Sequence, residues 1–208
     1  MSIIAPMSDL DAVNRMLTSI GGSPVNTLVV AGVGDVADAK RHLTETLRDV
    51  EAVGYAWNTD YGFPLIPDPS TGAILLPNGV LDIDASDASL SIVVRRHPTE
   101  DDLALYDADN HTFDFSATYS SEAPLSVDII WGFEFNDLPQ AARTYIATAA
   151  ARRFQAQKVN SPVLDRFDEI DEERAFALLQ RYERRTRDTN SFRKSASLQK
   201  WTGRRQLQ

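Results

Sequence analysis

The stretch QAARTYIATAAARRF, residues 140–154, limits what this chain can fold into more than any other. Ala141, Ala142, Ala147, Ala149, Ala150 and Ala151 surround only two large apolar side chains, Tyr145 and Ile146. Alanine is the strongest helix former, and a helix with so little bulk lets neighbours approach closely from several directions. The pattern reads as a crowded core helix, with a subunit contact as its other use. Just before it, Phe133 and Phe135 alternate with Glu134 as on a half-buried strand. Asp137 stands where a cap would, Pro139 falls in the first turn, and Gln140 is positioned to reach back to the cap. The expectation is a strand that runs into a helix without a linker.

Charge divides the chain unevenly. The 208 residues are 43% hydrophobic and 25% charged, with a net charge of −9, which suits a globular chain able to bury a core. Residues 181–208 hold nine Lys and Arg against two acids, so residues 1–180 carry −16, from 12 cations and 28 acids. An acidic body followed by a basic tail argues against a duplex-binding face on the body, because phosphate contacts need clustered cations. No apolar run is long enough to span a bilayer, and the N-terminus lacks the pattern of a conventional secretion signal. With no cysteine in the sequence, thiol catalysis, disulfides and thiolate metal sites are excluded.

Periodicity changes twice. Ser8 precedes DLDAVNRMLTSIGG with Asp11 three residues on, a capping-box pattern, and Leu10, Val13, Leu17 and Ile20 form one stripe up to Gly21. A second helix from about Asp35 carries Val36, Ala39, Leu43, Leu47 and Val50 on one face. From Trp57 to Phe135, proline and glycine punctuate short runs of period two: GFPLIP, AILLPNGVLDID, SLSIVVRR, DLALYD, TFDFSATY and PLSVDIIWGFEF. PNG at 77–79 and DADN at 107–110 are turn chemistry. Helix returns at Asp137 and again at Ser161-Pro162, where a stripe of Leu164, Phe167, Ala175, Leu178 and Tyr182 is broken at Asp171 and the run DEIDEE covers an outer, solvated face. After Tyr182 the chain is polar, basic and poorly periodic, and a loose segment is expected.

The predicted fold is therefore α+β: a helical bundle of four main helices, residues 1–56 and 136–186, with an all-β domain inserted at 57–135 and an extended basic arm at 187–208.

Chemical motifs are few. Asp107, Asp109 and His111 have the start of a calcium-loop spacing, but Thr112 and Thr118 stand where such a loop needs glycine and a bidentate glutamate. His42, His97 and His111 belong to no metal-protease or serine-elbow arrangement, and no phosphate-cradling glycine motif occurs. No cofactor or catalytic residue is expected. Two alternatives stay open: a tail-associated enzyme degrading polysaccharide or cell wall with two of its thirty acids, and a nucleic-acid-binding module acting through the basic arm.

Four segments in this order, AVNRMLTSIGGSPVNTL (12–28), DVADAKRHLTETLRDVEAVGYAWNTDYGFPLIPD (35–68), LALYDADNHTF (103–113) and IIWGFEFNDLPQAARTYIATAAARRF (129–154), followed by the acidic helix around 164–182, resemble the tail tubular protein A family of short-tailed bacteriophages. The resemblance implies a head-to-tail adaptor of the virion, assembled in the host cytoplasm. It implies a twelvefold ring between the portal protein and the nozzle, or tail tubular protein B, around the DNA exit channel. DNA would pass without specific binding, and the outside would help to anchor a tail fibre or tailspike. Within that reading Arg143, Arg152 and Arg153 are expected to meet Asp168, Glu169, Asp171, Glu172 and Glu173 of a neighbouring subunit. Arg187, Phe192, Arg193, Lys194, Lys200, Trp201, Arg204 and Arg205 are expected to dock the arm on the portal, cations setting the encounter and aromatics supplying the hold.

Overall fold

The computed structural model describes residues 5–29, 34–159 and 161–194. It holds four helices, α1 (Asp9–Ser19), α2 (Gly34–Glu51), α3 (Gln140–Lys158) and α4 (Pro162–Lys194), and five strands, β1 (Thr59–Leu65), β2 (Val80–Ala85), β3 (Ile92–Arg96), β4 (Leu103–Asp107) and β5 (Leu125–Trp131), a mixed α+β fold. The chain separates into two compact units, Met1–Val50 with Glu134–Gln208, and Glu51–Phe133.

In the helical unit, α1 begins with the capping box: Ser8 Oγ accepts from the Asp11 N–H at 3.2 Å, and Asp11 Oδ2 accepts from the Ser8 N–H at 2.9 Å. The Ser8 N–H, with the Ser8 hydroxyl that also donates to Asp11 Oδ2 at 2.7 Å, holds the Asp11 carboxyl below its usual range. Ala12, Val13, Met16 and Leu17 are buried, and Gly21 takes a φ of 79°, a left-handed conformation that stops the helix. Asn14 then binds both backbone groups of Val25, donating to its carbonyl at 2.9 Å and accepting from its N–H at 2.7 Å, which fixes the segment after the helix.

α3 is the hub. Ala142, Ile146, Ala147, Thr148, Ala149, Ala150, Ala151, Phe154 and Gln155 are all buried, so burial runs round the helix instead of down one stripe. The alanines make this possible, because small side chains let helices pack against it on more than one side. Gln155 Nε2 donates to the Ser19 carbonyl at 3.1 Å, tying α1's end to α3.

The entry to α3 differs from expectation. β5 ends at Trp131, Phe133 lies outside the strand, and Phe135–Asp137 is a single 3₁₀ turn. The residue at the N-cap is Pro139, with no side-chain cap, and Gln140 Oε1 accepts from the Met7 N–H at 2.8 Å. Phe133 does not extend the ladder, since its N–H donates to the Glu51 carboxyl at 2.9 Å.

In the strand unit, β5 is the centre of a three-stranded antiparallel sheet in the order β1-β5-β2, while β3 and β4 form a separate antiparallel pair. Leu125, Val127 and Ile129 of β5 alternate inward and pack with Leu65, Ile74, Leu105 and Phe115. The register shifts in β1 between Asp60 and Phe63, where Gly62 has φ 69°. TFDFSATY is not a strand. Asp114 Oδ1 accepts from the Ser116 N–H at 2.8 Å, and both Thr118 and Tyr119 N–H return to the Phe115 carbonyl, so local turn chemistry wins over the alternating pattern. Phe115 is still buried, as a plug from a loop.

α4 brings two further corrections. Of the expected stripe, only Ala175 is buried; Leu164, Phe167 and Leu178 are exposed. The face turned inward carries Asp168, Glu172, Ala175, Leu179 and Glu183. In place of a loose segment after Tyr182, the helix continues to Lys194, supported by an Arg187–Glu183 pair at 2.6 Å in the favourable i,i+4 spacing.

Candidate interaction surface

The charged residues of the helical unit converge on α3. Arg152 faces α4 and holds three carboxylates, Asp165 at 2.8 Å, Glu172 at 3.0 Å and Glu169 at 3.7 Å. Its hydrogen bond keeps the Asp165 carboxyl below its usual range. One residue on, Arg153 points a different way, to Asp49 of α2 at 2.6 Å and Thr46 at 3.3 Å. Lys158 closes the end of the same helix pair on Asp35 at 2.9 Å and Asp38 at 2.6 Å. Arg143 donates to the backbone carbonyls of Leu138 at 2.7 Å and Met7 at 2.8 Å, and also to that of Asn136.

The expected meeting of Arg152 with the acidic run thus takes place inside one chain. The sequence places the right charges together, but a loop of few residues between α3 and α4 makes them antiparallel neighbours, and the shortest route from Arg152 to Asp165, Glu169 and Glu172 is across that hairpin. The run is also not wholly a solvated face. Asp168 is half-buried, its Oδ2 has no hydrogen-bond partner among the described residues, and burial, then Asp171 and Asp165, push its carboxyl up. Asp171 pairs with Arg174 at 3.2 Å and Glu173 is exposed. Tyr145, Arg152, Glu169, Glu172, Glu173 and Phe176 line an open depression of about 240 Å³, with Tyr145 and Phe176 ring centres 5.1 Å apart.

What the sequence pattern did not reveal is the outward face of α4. Val163, Phe167, Ile170 and Leu178 are 67%, 66%, 39% and 56% exposed, at spacings that put them on one side, away from the acids that grip α3. Such a row on a helix is unusual for a surface meant only for water. The break at Asp171 was its one sequence signal.

Of the arm residues, Arg187 is exposed and paired with Glu183. Phe192, Arg193 and Lys194 belong to α4 as backbone, and their side chains, with Lys200, Trp201, Arg204 and Arg205, lie outside the described residues. The Asp107 segment is a turn: Asp107 accepts from the Asp109 N–H at 3.0 Å and the Asn110 N–H at 2.9 Å. Among the described residues no group of three or more His, Asp or Glu is arranged to hold a metal ion.

A search of curated proteins finds no match to this chain. A family described as tail tubular protein matches residues 10–189, which include all four helices but for the ends of α1 and α4, and all five strands. The chain belongs to the tail tubular protein family.

Proposed function

We propose that this chain, a structural component of a phage tail, is the head-to-tail adaptor: a twelvefold ring seated on the portal, with the nozzle below it and the DNA exit channel inside. The match to the tail tubular family across residues 10–189 carries the reading. A helix with an exposed apolar row and a body carrying −16 over residues 1–180 support it. The row suits a subunit that is covered on assembly, and a negative wall lets duplex slide without sticking. In this reading Glu51–Phe133 is a domain inserted into a helical bundle, and its outer surface helps to anchor a fibre or tailspike. The basic residues at the C-terminus dock on the portal.

Sedimentation of the chain alone and mixed with portal protein tests the proposal. A large closed species in the mixture is expected, and its absence in both samples would overturn the adaptor role. The same preparations should neither release sugar from polysaccharide nor retard duplex DNA at ordinary salt; turnover abolished by one acid-to-amide substitution would replace the adaptor with an enzyme.

A further inference from the structure

The chain between Leu76 and Val80 is held at both ends and free in the middle. The Leu76 N–H donates to the Leu103 carbonyl at 2.9 Å, and the Gly79 carbonyl accepts from the Gly132 N–H at 2.7 Å. Between these anchors lie Pro77 and Asn78. The peptide plane that joins Asn78 to Gly79 makes no backbone hydrogen bond among the described residues, through either the Asn78 carbonyl or the Gly79 N–H. Asn78 and Gly79 are both exposed. At Gly79 φ is 88° while Asn78 has no positive φ, as in a type II turn. Among the described residues no bond from the Val80 N–H to the Pro77 carbonyl closes this turn, so the plane is free to rotate, and glycine offers no side chain to resist it.

This pair of residues has a chemistry of its own. Once the Gly79 nitrogen loses its proton to a base in solution, it can attack Cγ of the Asn78 side chain. The new bond joins that nitrogen to Cγ, the Cγ–Nδ2 bond breaks, and the amide nitrogen leaves as ammonia, closing a five-membered succinimide. Water then opens the ring. Cleavage between nitrogen and Cγ gives aspartate at 78, whereas cleavage between nitrogen and the main-chain carbonyl carbon gives isoaspartate, in which the chain runs through the side chain and gains one methylene. No other asparagine in the sequence precedes glycine. Asn58 is 1% exposed, and the amides of Asn14, Asn110 and Asn136 are engaged with Val25, Asp107 and Asp9, with Arg15, His111 and Asp137 next in the chain to crowd the attacking nitrogen.

We propose that Asn78 is a site of spontaneous covalent modification, passing through the succinimide to aspartate and isoaspartate, and that the isoaspartate form weakens the bond between Gly79 and Gly132. The extra methylene enters the chain immediately before Gly79 and displaces its carbonyl. Gly132 has little room to follow, since even a Cβ there would lie 3.1 Å from Cδ2 of Leu81. The aspartate form keeps the original backbone length and so keeps the bond. The inference stands apart from the adaptor reading and does not depend on it.

The full chain is aged at mildly alkaline pH, folded in buffer and unfolded in urea, and its peptides are read by mass spectrometry with electron-transfer fragmentation, which separates isoaspartate from aspartate. In the folded sample the one-dalton gain of an amide turned acid is expected at Asn78 before any other asparagine. Hydroxylamine should trap the same ring and cut the folded chain into residues 1–78 and 79–208. Asn78→Gln, which would need a larger ring, should abolish both the gain and the cut with an unchanged far-ultraviolet circular dichroism spectrum, the side chain being exposed. A gain at Asn78 only in urea would show that the folded turn holds the plane, and would overturn the site; so would a gain that comes first at another asparagine. The Gly132 amide should exchange its hydrogen faster in the separated isoaspartate form than in the aspartate form. Equal exchange in the two forms would overturn the weakened bond.

Discussion

The N–H of Phe133 donates to Oε1 of Glu51 at 2.9 Å, and Glu51 is 2% exposed. These are the last and first residues of the strand unit, so one buried side chain at the end of α2 joins the two ends of an 83-residue excursion. Burial disfavours the charged form and outweighs the single N–H, pushing the Glu51 carboxyl from 4.5 to about 7.

A stability consequence of definite sign follows. Between pH 4.5 and about 7 the folded chain holds a proton on Glu51 that the unfolded chain has lost, so stability contributed by this group is complete below 4.5 and falls as pH rises through the window. Glu51→Gln keeps the acceptor for Phe133 and removes the titration. Urea unfolding below, within and above the window should show the variant equal to the parent at the acid end and more stable by about 2–3 kcal/mol at the alkaline end. A difference that does not change with pH would show that Glu51 is not buried as described.

Asn58 completes the same corner. It is 1% exposed, its Nδ2 donates to the carbonyls of Glu51 at 2.9 Å and Trp131 at 2.8 Å, and its Oδ1 accepts from the Tyr55 N–H at 2.8 Å. Asn58→Ala would leave three backbone groups without this partner in a site that admits little water. A loss of about 2–4 kcal/mol is expected. Asn58→Asp should be no better, since it keeps the acceptor, gives up both donors and puts a carboxylate near Glu51. An effect under about 0.5 kcal/mol for either variant, the size of an ordinary surface substitution, would contradict the geometry.

The Arg152 cluster predicts a charge-specific effect. Removing the guanidinium leaves Asp165, Glu169 and Glu172 clustered along α4 without the α3 cation that they share. The group is partly exposed, so Arg152→Met should cost about 1–2 kcal/mol and not the larger amount of a fully buried pair. Arg152→Lys should recover only part of this, because a point charge cannot serve carboxylates through a planar fork. Because Arg152 holds the Asp165 carboxyl below its usual range, the cost of Arg152→Met should shrink as pH falls through that carboxyl's titration; a cost independent of pH would assign Arg152 to packing alone.

How far the sequence reveals these features depends on the range of the forces behind them. The capping box at Ser8, the glycine stop at Gly21 and the turn at Asp107 are set by residues within a few positions, and each is read from the sequence directly. The Glu51–Phe133 bond spans 82 positions and involves one backbone group, so no pattern announces it. α4 misleads for a third reason. Its apolar residues keep a helical period, and period alone cannot say whether a stripe faces its own core or another surface. Arg152 decides the matter, drawing Asp165, Glu169 and Glu172 inward and turning Phe167 and Leu178 out. TFDFSATY fails because Asp114 and Ser116 form a local turn that the alternation of aromatics conceals.

The last prediction concerns the basic end. The expected arm began at Arg187, but α4 runs through Lys194, so a deletion before Arg187 would cut a helix and break the Arg187–Glu183 pair as well as remove any docking segment. Deletion of residues 195–208 separates the two effects. It takes away Lys200, Arg204 and Arg205 together with Trp201 and leaves every described residue in place. If the basic segment docks on the portal, this shorter chain should keep its far-ultraviolet spectrum while its portal affinity falls at least about tenfold, the scale of losing one aromatic anchor. Trp201→Ala alone should account for much of the loss, and raising salt should weaken the parent more than the deletion, since it is the parent that uses cations to steer the encounter. If the deletion binds portal as tightly as the parent, docking must be assigned to the body of the molecule. If only a residual affinity for duplex DNA disappears, the cations serve phosphates and the portal is not their partner.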